Sequence, residues 1–182
     1  MGAVTALPRG RALTRHDLEQ MPDDGHRYEL IDGTLIVTPA PAPRHQRAAR
    51  RLCLLLDAGC PTDLEVMFAP LDVALDDQTV LQPDLLVAAK FDFTDRDLPT
   101  APLLAIEILS PSTRRVDLTL KRSRFEEAGC PSYWVVDPDE PSLTAWQLQG
   151  GKYVEVAHAA GQEQVDLQAP YPVTIVPAEL IS

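Results

Sequence analysis

Apolar and polar residues alternate in two neighbouring runs within residues 26–39, and this pattern predicts a β-hairpin. The runs are joined by Asp32-Gly33, a pair that favours the tight turn of a hairpin. Pro43 suits the first turn of a helix, which is predicted to continue to about Gly59. A shorter helix is predicted upstream, over residues 13–21.

Short apolar runs after the long helix predict strands, and one run is apolar on both of its alternating faces. Strands are expected near residues 64–69, 71–75 and 84–89. Residues 102–111 are bounded by prolines and leave only about eight positions between them. Their length and their two apolar faces favour a central strand, covered on both sides, over a helix.

The second half of the chain is predicted to return from helix to strand. A helix is expected over 113–128, closed by Gly129, and a second doubly buried strand over 132–137. Residues 142–157 are predicted as a closing hairpin. This order of elements predicts an α/β fold in which a mixed sheet is flanked by helices.

The composition is that of a globular chain. With 182 residues, 45% hydrophobic and 24% charged, we expect one domain over 1–182, with residues 1–12 flexible. The chain lacks a membrane-spanning apolar run and its N-terminus lacks the apolar core of a secretory signal, so a cytoplasmic protein is expected. The three cysteines are odd in number and lack metal-site spacing, which predicts reduced thiols.

The formal net charge of -11 argues against a protein that binds nucleic acid through its bulk charge. The basic residues are nevertheless concentrated on the two longer predicted helices, which leaves room for a small basic groove. They are Arg44, Arg47, Arg50 and Arg51 on the first helix, and Arg114, Arg115, Lys121, Arg122 and Arg124 on the second.

A carboxylate interrupts the predicted central strand, because Glu107 lies between apolar residues on both sides. An ionised carboxylate is costly in an apolar interior unless it is paired or binds a metal. Asp84 follows Pro83 and precedes another apolar strand, so it is a candidate partner. Two carboxylates at neighbouring strand ends can bind a divalent cation through hard oxygen ligands.

The helix that follows Glu107 carries two charges on its inward side. At about 100° per residue, Asp117 and Lys121 fall near the centre of the side predicted to face the sheet, which also carries Leu118, Leu120, Phe125 and Ala128. A surface ion pair between residues four apart is the alternative interpretation. The order acid, acid, lysine is that of metal-dependent phosphodiester cleavage, in which the ammonium acts on a water or a phosphate.

Four segments of the chain resemble, in order and spacing, the Uma-type restriction endonuclease family of the PD-(D/E)XK nuclease superfamily. They are residues 26–41, 44–52, 80–87 and 103–138, within a resemblance that extends from about 14 to 180. The resemblance implies a restriction-endonuclease-like core in which Asp84 and Glu107 bind Mg²⁺ or Mn²⁺. The position two residues after Glu107 carries Leu109 instead of the superfamily's lysine, and Lys121 matches a family lysine on the following helix.

The resemblance also implies that Glu29 is a third carboxylate, bonded to a metal-bound water; taken alone, Glu29 is a solvated strand residue. His45 shares the apolar face of its helix and is interpreted either as a core histidine or as a residue lining the site. Asp117 is a candidate for holding Lys121 in place. Four arginines are candidates for contact with a DNA backbone, or else are solvated helix charges: Arg44, Arg47, Arg51 and Arg114.

Two hypotheses about function follow. In the first, a metal-dependent endonuclease hydrolyses DNA, with the metal held by Asp84, Glu107 and the next carbonyl, water positioned by Lys121 and the hydration shell supported by Glu29. In the second, the chain is a non-catalytic module with a nuclease fold that acts through protein partners. The net charge favours this second hypothesis. The complete set of carboxylates and lysine favours the first. A homodimer is a further hypothesis, since the closing hairpin offers an edge strand.

Overall fold

The computed structural model describes residues 10–182, and it contains twelve strands that form three sheets. A flexible segment is predicted over residues 1–12, and residues 1–9 of it lie outside the described residues. In chain order the strands are β1 Arg27–Ile31, β2 Thr34–Thr38, β3 Leu64–Phe68, β4 Val73–Ala74, β5 Val80–Leu81, β6 Leu85–Ala89, β7 Leu104–Ile108, β8 Ser132–Asp137, β9 Ser142–Gln149, β10 Lys152–Ala160, β11 Val165–Leu167 and β12 Val173–Ile175.

The helices lie between these strands. They are α1 Arg15–Leu18, α2 Pro43–Gly59, α3 Arg114–Val116, a π-helical segment Asp117–Lys121 and α4 Arg122–Glu127, together with 3₁₀ turns Lys90–Asp92 and Pro177–Leu180. No helix within residues 10–182 has the length and apolar character needed to cross a membrane. The predicted mixed sheet flanked by helices is confirmed.

A six-stranded sheet forms the centre of the fold, in the order β10-β9-β8-β7-β6-β3. Strands β7 and β8 pair in parallel and the other neighbours pair antiparallel. All five residues of β7 and all six of β8 are buried, which confirms the two doubly covered strands that the sequence predicts. Strand β7 therefore lies in the middle of the sheet with β6 as its antiparallel neighbour.

One face of this sheet is covered by α2, which has the predicted bounds. Ala48, Leu52 and Leu56 recur every four residues on one side of α2, are fully buried, and pack against Ile106 of β7. The short pair β11-β12 adds to the same core. The pattern did not predict these strands, because three residues are too few for a recognisable alternation.

The other face is covered by a second sheet, in the order β2-β1-β5-β4, and by α4. The predicted hairpin is confirmed as β1 and β2. Asp32 and Gly33 have φ of 51° and 70°, the left-handed backbone that a two-residue hairpin turn requires. The two-residue strand β5 joins this hairpin to β4, and the sequence pattern did not predict it.

The helix predicted over 113–128 is helical over 114–127, but its middle is a π-helix. The projection at a constant α-helical angle was wrong for Leu120, which is 44% exposed, and for Ala128, which is exposed. A π-turn is wider, with i→i+5 hydrogen bonds, so each residue advances by a smaller angle and the projected faces drift. Phe125 is fully buried on the expected side.

The hairpin turn at Gly33 generates the first prediction. A Cβ at this position would lie 2.5 Å from the Ala12 Cβ and 3.0 Å from the Leu13 nitrogen, in addition to the positive φ. Gly33→Ala should therefore lower the free energy of unfolding by about 2–4 kcal/mol, measured by urea denaturation. Gly161→Ala, with φ of 57° and open space around it, carries the backbone strain alone and should cost about 1–2 kcal/mol. Equal costs would show that the contact with Ala12 is unimportant.

Candidate active site

The centre of the site is the buried ammonium group of Lys121, which contacts three carboxylates. Its Nζ lies 2.8 Å from Glu29 Oε1, 3.1 Å from Glu107 Oε1 and 3.6 Å from Asp117 Oδ1, and the side chain is 1% exposed. Burial alone lowers the pKa of Lys121, but the three carboxylates raise it above its ordinary value. Lys121 therefore carries a positive charge at neutral pH.

Three elements bring these groups together. Glu107 is supplied by β7, Glu29 by β1, and both Asp117 and Lys121 by the π-helical segment. The Tyr133 hydroxyl on β8 donates to the Asp117 carbonyl at 2.8 Å, which fixes the start of this segment against the central sheet. Single π-turns within α-helices occur frequently at functional sites.

Asp84 lies next to this cluster, one residue before β6. Because Leu85 pairs with Ile106, Asp84 lies beside the stretch of β7 that carries Glu107. Asp84 Oδ2 accepts the Ile108 N–H at 2.8 Å and contacts His45 Nε2 at 3.1 Å, while Oδ1 accepts from Arg27 Nη1 at 2.9 Å. Burial would raise the pKa of Asp84, but the contacts with His45 and Arg27 lower it to about 2. Asp84 is therefore an ionised carboxylate.

Three buried carboxylate oxygens of the cluster have no hydrogen-bond partner among the described residues, namely Oε2 of Glu107, Oε2 of Glu29 and Oδ1 of Asp117, and the last has only the 3.6 Å ionic contact with Lys121. Glu29 Oε2 has a longer ionic contact with Arg27 Nε, at 3.6 Å. Burial and the neighbouring carboxylates raise the pKa of Glu107 well above its ordinary value, against the attraction of Lys121. Buried polar atoms without a partner are uncommon, and an ion that the structure lacks is one explanation for them.

The donor set fits a divalent cation. Four buried carboxyl groups, those of Glu29, Asp84, Glu107 and Asp117, face two permanent cations, Arg27 and Lys121, so the cluster has more acidic groups than permanent cations. Within residues 10–182 no three His, Cys, Asp or Glu side chains form a ready cage for a metal ion. Mg²⁺ does not need such a cage, because it is usually held by one or two carboxylates and keeps several waters.

The structure brings six of the predicted site residues together: Glu29, His45, Asp84, Glu107, Asp117 and Lys121, all of which are buried. Glu29 is not the solvated strand residue that the sequence alone suggested, since it is fully buried. His45 is buried on the inner face of α2 and also touches Asp84, so its two interpretations are compatible.

The four predicted DNA-contacting arginines differ in exposure and in their partners. Arg47 is exposed and lines the cleft described below. Arg44 pairs with Asp139 at 3.8 Å and Arg114 pairs with Asp137. Arg51 is partly buried and does not line the cleft. These contacts arise because the start of α2 and the start of α3 each lie near the loop after β8.

Sequence reasoning missed two residues of the cluster, Arg27 and Gln82. The Arg27 guanidinium bridges Asp84 and Glu29, and the Gln82 N–H donates to Glu29 Oε1 at 2.7 Å. A signal for Arg27 was present, because it lies two positions before Glu29 and therefore on the same face of the strand. Gln82 had a weaker one, since it lies two positions before Asp84.

A cleft of about 1220 Å³ gives access to the cluster, and Arg27, His45 and Asp84 line it. Residues after β2, the first half of α2, and the segment after β7 provide its walls. Glu107 and Lys121 are not among its lining residues. A substrate entering from solvent would therefore meet Asp84 and Arg27 first.

Comparisons with known proteins agree with this architecture. The family model Uma2, described as "Putative restriction endonuclease", matches residues 15–178. A crystal structure from Anabaena variabilis, described as a "putative nuclease belonging to DUF820", is similar with a TM-score of 0.69 and 19% identity, over 87% of this chain and 89% of that chain. At this identity the likeness shows the fold alone. A comparison with curated proteins gave no match.

The buried position of Lys121 generates the second prediction. Lys121→Met leaves Glu29, Glu107 and Asp117 without their cation, so the free energy of unfolding should fall by about 3–5 kcal/mol in chemical denaturation. Lys152→Met is the matched control, because Lys152 pairs with Glu126 at 2.7 Å but its side chain is 77% exposed. That exposed pair is screened by water and its loss should cost little. Similar losses for the two variants would contradict the structural role of Lys121.

Proposed function

Because the chain belongs to the Uma2 family of restriction-endonuclease-like proteins, we propose that it is a metal-dependent nuclease that hydrolyses phosphodiester bonds of DNA. The observation that supports this most strongly is the cluster of Asp84, Glu107 and Lys121. It combines oxygen ligands on adjacent strands with a charged ammonium from the next helix, next to an open cleft.

In this proposal Asp84, Glu107 and the backbone carbonyl that follows Glu107 hold a Mg²⁺ or Mn²⁺ ion. Such an ion polarises a phosphate and lowers the pKa of a bound water. Glu107 contributes the unpartnered oxygen Oε2, and Asp84 contributes a carboxylate that is already ionised. Restriction-endonuclease-like nucleases generally use divalent metals, and the choice between the two ions is part of the proposal.

Lys121 acts through its charge. Since its pKa lies above the ordinary value, Lys121 is a poor base at neutral pH, and it instead orients the attacking water or stabilises charge on the phosphate. Glu29 and Asp117 hold the ammonium in place, and Glu29 supports the water shell through its second oxygen.

Arg27 and His45 complete the proposed site from the side of the cleft. Both contact Asp84 and both line the cleft, so they restrict the motion of this carboxylate. The Arg27 guanidinium is also accessible from the cleft, and a guanidinium matches the oxygens of a phosphate well. We assign it to binding the substrate next to the scissile bond.

The second candidate function is a non-catalytic module with the same fold. The net charge of -11 favours it, because binding to duplex DNA generally draws on many Lys and Arg contacts. The homodimer hypothesis also stays a prediction. It rests on β10, an edge of the central sheet with Val154 and Val156 exposed.

A cleavage assay tests the proposed activity. Supercoiled plasmid incubated with the protein and Mg²⁺ or Mn²⁺ should be nicked, and chelation with EDTA should stop the reaction. Asp84→Asn and Glu107→Gln should each lower the rate by about 100-fold or more, since each removes a charge from the site at nearly constant shape. Glu155→Gln, on the exposed strand β10, should leave the rate unchanged. Equal rates in all four proteins would refute the assigned site.

Metal binding can be measured without cleavage. At a Mn²⁺ concentration about 100 times the dissociation constant, the free energy of unfolding should rise by about 3 kcal/mol in the wild type. The increase should be lost in Asp84→Asn and Glu107→Gln and kept in Glu155→Gln. A protein that neither binds Mn²⁺ nor cuts any DNA is the non-catalytic module.

A further inference from the structure

We propose that the cleft binds an unpaired single strand of nucleic acid, with one base stacked on the exposed ring of Phe68. This inference rests on the proposed nuclease function and adds the class of substrate. It is carried by three features of the cleft: an aromatic residue next to Asp84, an apolar part of its lining, and two arginines that have no acidic partner among residues 10–182.

Phe68 is the last residue of the edge strand β3 and pairs with Leu85, the residue after Asp84. The Ala69 N–H donates to the Asp84 carbonyl at 3.1 Å, so the backbone of Phe68 is held close to the site. Phe68 is 63% exposed and lines the same cleft as Asp84. An exposed ring at the mouth of a site offers a flat apolar surface on which any base can stack.

Part of the cleft lining is apolar and has little capacity to form hydrogen bonds with base pairs. Pro39, Pro41 and Pro43 belong to this part, and proline has no backbone N–H to donate. Leu54 of α2 also belongs to it and is 59% exposed. Sequence readout in duplex DNA depends on hydrogen bonds to base edges in the grooves, whereas an apolar wall accepts the faces of unstacked bases.

Two arginines of α2 provide a small positive charge at the rim. Arg47 and Arg50 are exposed, line the cleft, and form no ion pair within residues 10–182. The cleft is lined by three arginines and by three aspartates, Asp23, Asp72 and Asp84, so its lining lacks the acidic excess of the whole chain. Two free arginines and Arg27 suit a short stretch of backbone, while duplex-binding proteins commonly contact about 6–10 phosphates.

The depth of the site favours a flexible strand as well. Asp84 is buried but lines the cleft, whereas Glu107 and Lys121 are covered and do not line it, so a phosphate in the cleft approaches the cluster at Asp84. A duplex is stiff over lengths of about 50 nm and keeps its backbone on the outside of stacked bases. A single strand can turn one phosphate inward while a neighbouring base rests on Phe68.

Equilibrium binding of labelled oligonucleotides tests this inference. The full chain is titrated in EDTA, which prevents cleavage, with oligo-thymidine DNA, oligo-uridine RNA, and a thymidine–adenine duplex of equal length. We expect either single strand to bind at least about 5-fold more tightly than the duplex, and the two single strands show whether DNA or RNA is preferred.

Variants of the ring identify the stacking contact. Phe68→Ala should weaken single-strand binding by about 5- to 100-fold, and Phe68→Trp should retain it. Phe91→Ala is the control, because Phe91 is 85% exposed but lies in the 3₁₀ turn at the far end of β6 and does not line the cleft. Thermal melting checks that all three variants fold.

The outcomes separate this inference from the proposed function. Duplex binding as tight as single-strand binding, or equal effects of Phe68→Ala and Phe91→Ala, would overturn the inference even where plasmid nicking depends on Asp84. Single-strand binding that depends on Phe68, in a protein that cuts no DNA or RNA, would support the binding mode and refute the nuclease.

Discussion

The buried charge of Lys121 is the constraint on which the rest of this structure depends. Its three carboxylate partners come from β1, from β7 and from the π-helical segment, so one ammonium group links the second sheet, the central sheet and the following helix. Burying an ion costs several kcal/mol, and only well-placed partners offset that cost. The positions of the three elements are thus coupled through electrostatics as well as through apolar packing.

The same charges favour a ligand-binding role for the cluster over a purely structural ion network. A network whose only role is stability would balance its charges and satisfy its oxygens, as buried polar groups generally do. Here the four carboxylates outnumber the permanent cations, and Oε2 of Glu107 has no partner among the described residues. Sites that bind ligands commonly retain such unfavourable features, and the surrounding fold compensates for them.

Much of the fold was predictable because its elements are strongly patterned. The doubly apolar strands β7 and β8, the helix from Pro43 to Gly59 and the Asp32-Gly33 hairpin each have a local physical cause. The contact between Arg27 and Asp84 has no local cause, because these residues are 57 positions apart in sequence. It depends on how β1 packs beside the start of β6. The π-turn could not be predicted from the sequence either, since hydrophobic periodicity reports only an average helical angle.

Leu109 stands where the PD-(D/E)XK pattern has a lysine, and the geometry of β7 explains why a leucine fits there. Side chains alternate along a strand, so Ala105, Glu107 and Leu109 point to the same face, the one covered by α4 and the second sheet. Leu109 is buried there against apolar residues, where a lysine would need its own carboxylate partners. Because Lys121 of the π-helical segment provides the ammonium group, position 109 does not need a lysine and can carry an apolar side chain of the core. The charge then reaches Glu107 from the side on which Glu29 also lies, so one cation serves carboxylates of both sheets.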